Sequence, residues 1–185
     1  MAIDVLGLTE RVSVEPADTT SDHDSLRQQN PLGKIPCLVR ADGSGVYDSS
    51  VILEFLQEVA GSDRLIPVRG MERIEALVLS GLADGIIDAG AVIIYEDRYH
   101  PDGTQSDYWK SYQGGKMHRA LARFEHSPPD AKKTNAVSIG LACALGFLDK
   151  RKLMEWRGRC PNLVAWLELF SAHEPSFNRT TPPES

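Results

Sequence analysis

Apolar residues recur at helical spacing over most of this chain, and only its first third breaks the pattern. Ile52, Phe55, Leu56 and Val59, with Val51 beside them, predict a helix from Val51 to about Val59, with Ser49 as its N-cap and Asp48 adding negative charge at its positive end. From Met71 onward Ile74, Leu77, Val78, Leu82, Ile86, Ala89 and Ile93 predict one long amphipathic helix that breaks near His100-Pro101-Asp102-Gly103. Asp107 to Glu125 predicts a second, with Trp109, Tyr112, Met117, Leu121 and Phe124 turned inward. Asn135 to Leu148 is nearly all apolar and is expected at the centre of a core. A further helix carries Leu163, Trp166, Leu167 and Phe170, with Pro161 near its first turn. The tail from Arg179 is expected to fray.

The first third is more varied. Residues 2 to 6 read as the end of a helix stopped by Gly7. Arg11 to Glu15 alternates weakly and predicts a short strand; Pro16 to Asp24 is a loop, and Ser25 to Gln29 a helical turn. Cys37-Leu38-Val39 and Val46-Tyr47 predict two strands joined by the turn Asp42-Gly43-Ser44-Gly45. Residues 61 to 67 form a linker. The order is a short β/α segment followed by four or more helices, without an internal repeat.

Composition narrows the classes. The chain has 185 residues, 42% hydrophobic and 25% charged, as an ordinary globular chain does. A net charge of −6 argues against nucleic acid or an anionic membrane as the main partner. No run of about 18 apolar residues is found, so no membrane span is expected. Three cysteines, Cys37, Cys143 and Cys160, have no metal-like spacing and fit free thiols in a reducing cytoplasm. The N-terminus lacks the basic region of a signal peptide. The sequon Asn178-Arg179-Thr180 is read as chance. The five histidines have no partner at metal-ligand spacing, and no phosphate loop, nucleophile elbow or zinc motif occurs, so no metal is expected.

The informative stretch is Asn30 to Ser50: loop, Ile35-Pro36, strand, Asp-Gly turn, strand, and a helix opened by Asp48-Ser49. That order resembles the second half of the glutathione-binding domain of glutathione transferases, bacterial type. Ala142 to Asp149 and Pro161 to Leu167 resemble the same family. The resemblance implies α/β plus all-α architecture: an incomplete thioredoxin-like domain over residues 1–66, then an all-helical domain over 71–185. It implies a cis Ile35-Pro36 bond and glutathione as cosubstrate. The backbone of Ile35 ahead of Pro36 would pair with its cysteinyl part, Asp48 and Ser49 would hold its γ-glutamyl end, and Lys34 would meet its glycine carboxylate. The chemistry stands independently. An extended peptide can add to a strand edge, a carboxylate suits a helix N-terminus, and X-Pro bonds are the ones readily held cis.

The family's opening strand and its catalytic Ser, Tyr or Cys loop have no counterpart here, so no catalytic residue is assigned. Met1 to Leu8 looks like the last turns of the family's first helix. Met1 is therefore expected to be an internal methionine, the chain being a fragment or a misassigned start; an in-frame stop just upstream, with no strand-and-Ser segment, would refute this. At the central helix Asn135 and Ser138 stand where the family often has Ser or Thr and Asp; they can cap but lack the carboxylate.

Several residues have a plain reading beside the sharper one. Asp84 and Asp88 are one turn apart on one helix face; a solvated or hydrogen-bonded face is preferred over a catalytic pair. Tyr95 and Arg98 are candidates for the second-substrate pocket by resemblance, with structural or surface roles as the alternative. Cys37 and Cys143 are read as buried inert thiols, Trp109, Trp156 and Trp166 as packing residues, and Glu168 and His173 as surface. The reading is a cytoplasmic homodimeric glutathione transferase that conjugates glutathione to small hydrophobic electrophiles or reduces peroxides, without nucleic-acid or membrane partners. The alternative is a non-catalytic binding or interaction protein of the same fold.

Overall fold

The computed structural model describes residues 1–100 and 103–182, and the chain divides into two compact units, Met1–Val68 and Arg69–Ser185. In the first, α1 (Ala2–Val5) and α2 (Leu26–Gln29) are short, β1 (Leu38–Val39) pairs antiparallel with β2 (Gly45–Val46), and α3 (Ser49–Ala60) follows. The β1–β2 turn forms as its composition predicts. The Ser44 amide and hydroxyl donate to Asp42 Oδ1 at 3.0 and 2.6 Å, and the Arg40 amide donates to the Ser44 carbonyl at 2.9 Å. Leu8, Ile52 and Leu56 form a small core, with Ile3, Leu6, Val12, Leu38, Val46 and Val59 packed around it.

Gln57 ties α3 to the segment that follows it. Its buried amide donates to the Ile66 carbonyl at 2.8 Å and accepts from the amides of Leu65 and Ile66 at 2.9 and 2.8 Å. Leu65 and Ile66 are buried, so the end of the expected linker is held to α3 rather than free in solvent.

The strand predicted at Arg11–Glu15 is not formed. The amides of Arg11 and Val12 turn back to the Leu8 carbonyl at 2.9 and 3.1 Å, and among the described residues no third strand offers a partner. Val12 reaches the core while Val14 is 85% exposed. At α3 the N-cap is Asp48 rather than Ser49, because Asp48 holds the extended backbone and its side chain accepts from Ser50. Val51, in the first turn, is exposed.

The second unit comprises α4 (Met71–Tyr99), α5 (Asp107–His126), α6 (Ala136–Arg151), α7 (Pro161–His173) and α8 (Pro175–Arg179). Pro101 and Asp102, at the predicted break, and residues 183–185 of the tail lie outside the described residues. α4 packs along α5 and α6. α6 is the centre of this core: Leu141, Ala142, Ala144, Leu145 and Leu148 are fully buried. Asn135 and Ser138 close a reciprocal capping box, with Asn135 Oδ1 accepting the Ser138 amide at 3.0 Å and Ser138 Oγ accepting the Asn135 amide at 2.9 Å. Pro175–Arg179 wind into α8, capped by Glu174 with Pro175 at its first position, so among the described residues of the expected tail only Arg179 is helical.

Three readings of inward or core positions are corrected. Ile74 and Val78 on α4 are exposed, because Ala83, Ile86, Ala89 and Gly90 carry its buried stripe. Trp109 and Tyr112 are also exposed; their rings stack at 5.7 Å, with the Lys116 ammonium over both. The buried stripe of α5 runs instead through Gln113, Met117, Ala120, Leu121 and Phe124. Cys143 is exposed rather than core. Finally, α4 is long and apolar enough to cross a membrane by length and composition alone, since Leu77 to Ile94 holds only two charges, Asp84 and Asp88. The rule of an unbroken apolar run missed it. Trp156 and Trp166 do pack: their indole nitrogens donate to Asp149 Oδ1 and the Pro129 carbonyl at 2.8 and 2.7 Å.

Candidate functional site

The loop that leads into β1 is built on Asn30. Its side chain is 2% exposed; Nδ2 donates to the Lys34 carbonyl at 2.8 Å, and Oδ1 accepts the Leu32 amide at 3.0 Å. The Gly33 amide donates to the Asn30 carbonyl at 2.8 Å, and Gly33 takes a φ of +59°, the region that favours glycine. Arg27 supports the segment before it through the carbonyls of Ser21 and Thr19. The sequence pattern alone marked this loop by its punctuation and missed the part played by the Asn30 side chain; the signal was an Asn ahead of a proline turn.

What the loop presents is Lys34, Ile35 and Pro36, all exposed. The Ile35–Pro36 peptide bond is cis, as the resemblance implies, and so is Tyr47–Asp48. Neither the amide nor the carbonyl of Ile35 is bonded to another described residue.

Asp48 and Ser49 come from the other side of the hairpin. The register pairs Leu38 with Val46 and Val39 with Gly45. Carried two residues outward, the same register sets Pro36 across from Asp48. The ribbon thus brings the exposed loop and the start of α3 to one end. There Asp48 Oδ1 accepts the Ser50 amide at 3.1 Å and its hydroxyl at 2.5 Å. These bonds, the Ser50 hydroxyl first, hold the Asp48 carboxyl below the usual carboxylate range, so it is ionised at neutral pH. The half-buried Ser49 hydroxyl is bonded to no described residue. The end of the ribbon therefore offers a free main-chain donor and acceptor, a free hydroxyl, a carboxylate and a primary amine.

Cys37, next along the strand, is half-buried, and burial pushes its thiol above the ordinary value. It is a neutral thiol at pH 7, not a ready nucleophile. Tyr95 and Arg98 lie in the second unit, on the last turns of α4. Both are exposed, and the Arg98 guanidinium sits 5.7 Å from the Tyr95 ring centre and 6.0 Å from that of Tyr99. Asp88 is exposed and Asp84 half-buried. Glu168 and His173 are exposed. Among the described residues no three His, Cys, Asp or Glu side chains gather as a metal site would require.

Residues 1–59 match the model of the glutathione S-transferase N-terminal domain. A GST-like protein of Escherichia coli K12, YibF, is 35% identical over 163 residues, 85% of this chain and 80% of its own. A glutathione transferase family member from Pseudomonas fluorescens Pf-5, solved with bound glutathione, superposes with a TM-score of 0.89 at 36% identity, covering 98% of this chain and 91% of that one. A glutathione S-transferase from Methylobacillus flagellatus KT, also with glutathione bound, has a TM-score of 0.84 at 29% identity, over 98% and 93%. The chain belongs to the glutathione S-transferase family, with a thioredoxin-like first domain and a helical second one.

Proposed function

We propose that the chain binds glutathione at the end of the β1–β2 ribbon and uses its thiol as a transferase. The peptide lies extended beside Ile35, ahead of Pro36. Its γ-glutamyl end is received by Asp48 and Ser49, and Lys34 meets its glycine carboxylate. The observation that carries this reading is the juxtaposition of the unbonded Ile35 backbone with the unbonded Ser49 hydroxyl, set by the hairpin register. Main-chain bonds to Ile35 suit an extended tripeptide. The amides of α3, a helix of 12 residues, suit its α-carboxylate, and the ionised Asp48 suits its α-ammonium group. Glutathione bound in relatives of the same fold supports glutathione as the ligand.

With glutathione held there, its thiol loses a proton and the thiolate attacks a small hydrophobic electrophile, whose leaving group departs with the bonding pair. Toward a peroxide, the thiolate takes one oxygen and releases the alcohol, and a second glutathione then gives the disulfide and water. No side chain of this chain is assigned to the thiolate. Tyr95 and Arg98 are the residues offered for the second substrate.

A cytoplasmic homodimer completes the reading. All three cysteines are free, and α4 turns Met71, Ile74 and Val78 outward at 69%, 50% and 64% exposure, beside Leu79, Leu82 and Arg123. Such a stripe suits a second copy of the chain.

One observation favours a second reading, binding without chemistry: the features at the ribbon end include no reactive side chain. Retention on immobilised glutathione and turnover of a chloroarene separate the two. The transferase reading expects both, with Ser49→Ala and Lys34→Ala each weakening glutathione roughly tenfold. Retention without turnover selects the binding protein, and failure to be retained overturns the site.

A further inference from the structure

Asn30 is the one buried polar side chain among the described residues from Met1 to Ile66 besides Gln57, and its side-chain hydrogen bonds go to its own loop. Both of its polar atoms are spent on the backbone of the loop that ends at Ile35. The segment just before it is fixed as firmly. A Cβ placed on Gly45 would lie 2.2 Å from the Gln29 carbonyl oxygen, so the end of α2 rests directly on the backbone of β2. One contact thus joins the two strands of the site: Gln29 and Asn30 lead to Ile35, while Gly45 leads to Asp48 and Ser49.

From this we infer that Asn30 is a positioning residue for the glutathione site. By holding the Lys34 carbonyl, it fixes where the free amide and carbonyl of Ile35 stand relative to the start of α3. It touches no ligand; it acts through Lys34 and Ile35. The inference rests on the proposed glutathione reading.

Asn30→Asp tests it in the full chain, because the shape is kept while one donor is lost. The introduced carboxyl can still accept the Leu32 amide, but when ionised it faces the Lys34 carbonyl with a negative oxygen. When protonated it can donate again. Burial and that carbonyl both raise its pKa above the usual value of about 4. The expected result, by calorimetric titration with glutathione, is binding roughly tenfold weaker than the parent at about pH 8, recovering toward the parent at about pH 5. Arg27, Lys34, Cys37 and Asp48 carry charge or titrate in the same unit in both proteins, so the ratio of the two affinities removes their effect. Asn30→Ala, which cannot regain a donor, is expected to stay weak at every pH. Equal affinities across the pH range, or recovery in the alanine variant as well, overturn the inference.

A parent that fails to bind glutathione removes the functional reading, and what is then tested is whether Asn30 holds the loop that ends at Ile35. In that event amide exchange decides: loss of protection at Leu32 and Gly33 in Asn30→Ala, with α3 unchanged, supports the positioning role, and unchanged protection there overturns it. An alanine variant that does not fold leaves the aspartate variant and its pH profile as the test.

Discussion

The Asp48 carboxylate accepts the Ser50 amide at 3.1 Å and, by capping α3 itself, leaves the hydroxyl of Ser49 unengaged. One residue closes the helix, and in the proposed site its neighbour is left to meet the ligand. The N-cap role that the pattern gives to Ser49 falls to Asp48. Asp48→Ala is expected to cost about 1 kcal/mol, the common value of an N-cap. The carboxyl is held below its ordinary value, so its contribution is fully present above about pH 4, the unfolded value, and is lost as pH falls through the folded one. Urea unfolding at about pH 7 and about pH 3 checks this: the gap between parent and Asp48→Ala narrows at the lower pH. A gap that widens on acidification contradicts the sign.

Gly45 is a position where only a hydrogen fits. The Cβ of Gly45→Ala meets the Gln29 carbonyl oxygen at 2.2 Å and Cys37 Sγ at 3.4 Å. The nearer neighbour is backbone and cannot rotate away. Destabilisation of about 1–3 kcal/mol is expected, together with weakened glutathione binding, since α2 and β2 are pushed apart. Gly85→Ala is the contrast: no atom lies within 4 Å of its added Cβ, inside α4, and removing a helical glycine gains about 0.5–1 kcal/mol. Melting temperatures moving in the same direction for both variants would count against the packing argument.

The helices were legible because their signal is local. The apolar spacing placed α3, α5, α6 and α7 within a few residues of their observed ends, and Asn135 and Ser138, singled out by resemblance as a pair that can cap, do close the box at the start of α6. The hairpin was legible because Asp42-Gly43-Ser44 has few other uses. The failures share one cause: a strand or an inward face depends on a partner that spacing does not name. Arg11–Glu15 alternates as a strand does, yet its amides turn back on Leu8. Trp109 and Tyr112 share the apolar face of α5 by count, yet Gln113 is buried and they are not. Of the site, Lys34 to Pro36 and Asp48-Ser49 were visible through resemblance. The bonds of Gln57 to Leu65 and Ile66 were not, because the partner of a polar side chain is not named by spacing, and the local bonds of Asn30 to Leu32 and Lys34 were marked only by its place ahead of a proline turn.

The outward stripe of α4 predicts how the chain assembles. Met71, Ile74 and Val78 stand at offsets of three and four residues on one side of the helix, with more than half of the Val78 surface open. In the homodimer proposed above this stripe is covered. Val78→Glu adds a charge there without disturbing a buried contact, so light scattering is expected to show the parent at twice the mass of the variant, with helicity by circular dichroism unchanged. A dimeric Val78→Glu assigns the interface elsewhere, and a monomeric parent removes the homodimer.

The start of α7 supplies the last prediction, because its cap comes from another helix. Cys160 stands at the N-cap position with no side-chain bond, and Pro161 follows it. The amides left open are met by Glu125 of α5: its carboxylate oxygens accept those of Asn162 and Leu163 at 3.0 and 2.9 Å, while the Asn162 side chain donates to the Glu125 carbonyl at 3.2 Å. A negative charge at that end also favours the helix dipole. One residue thus does the work of a cap and of a clasp between α5 and α7. Glu125→Ala leaves both amides without a protein acceptor and is expected to cost about 1–2 kcal/mol, the upper part of the capping range. Glu125→Gln keeps one acceptor and loses the charge, so it is expected to fall between parent and alanine. Chemical denaturation of the three proteins orders them. An alanine variant as stable as the parent means that water serves these amides equally well, and that α7 is held by Leu163, Trp166 and Phe170 alone.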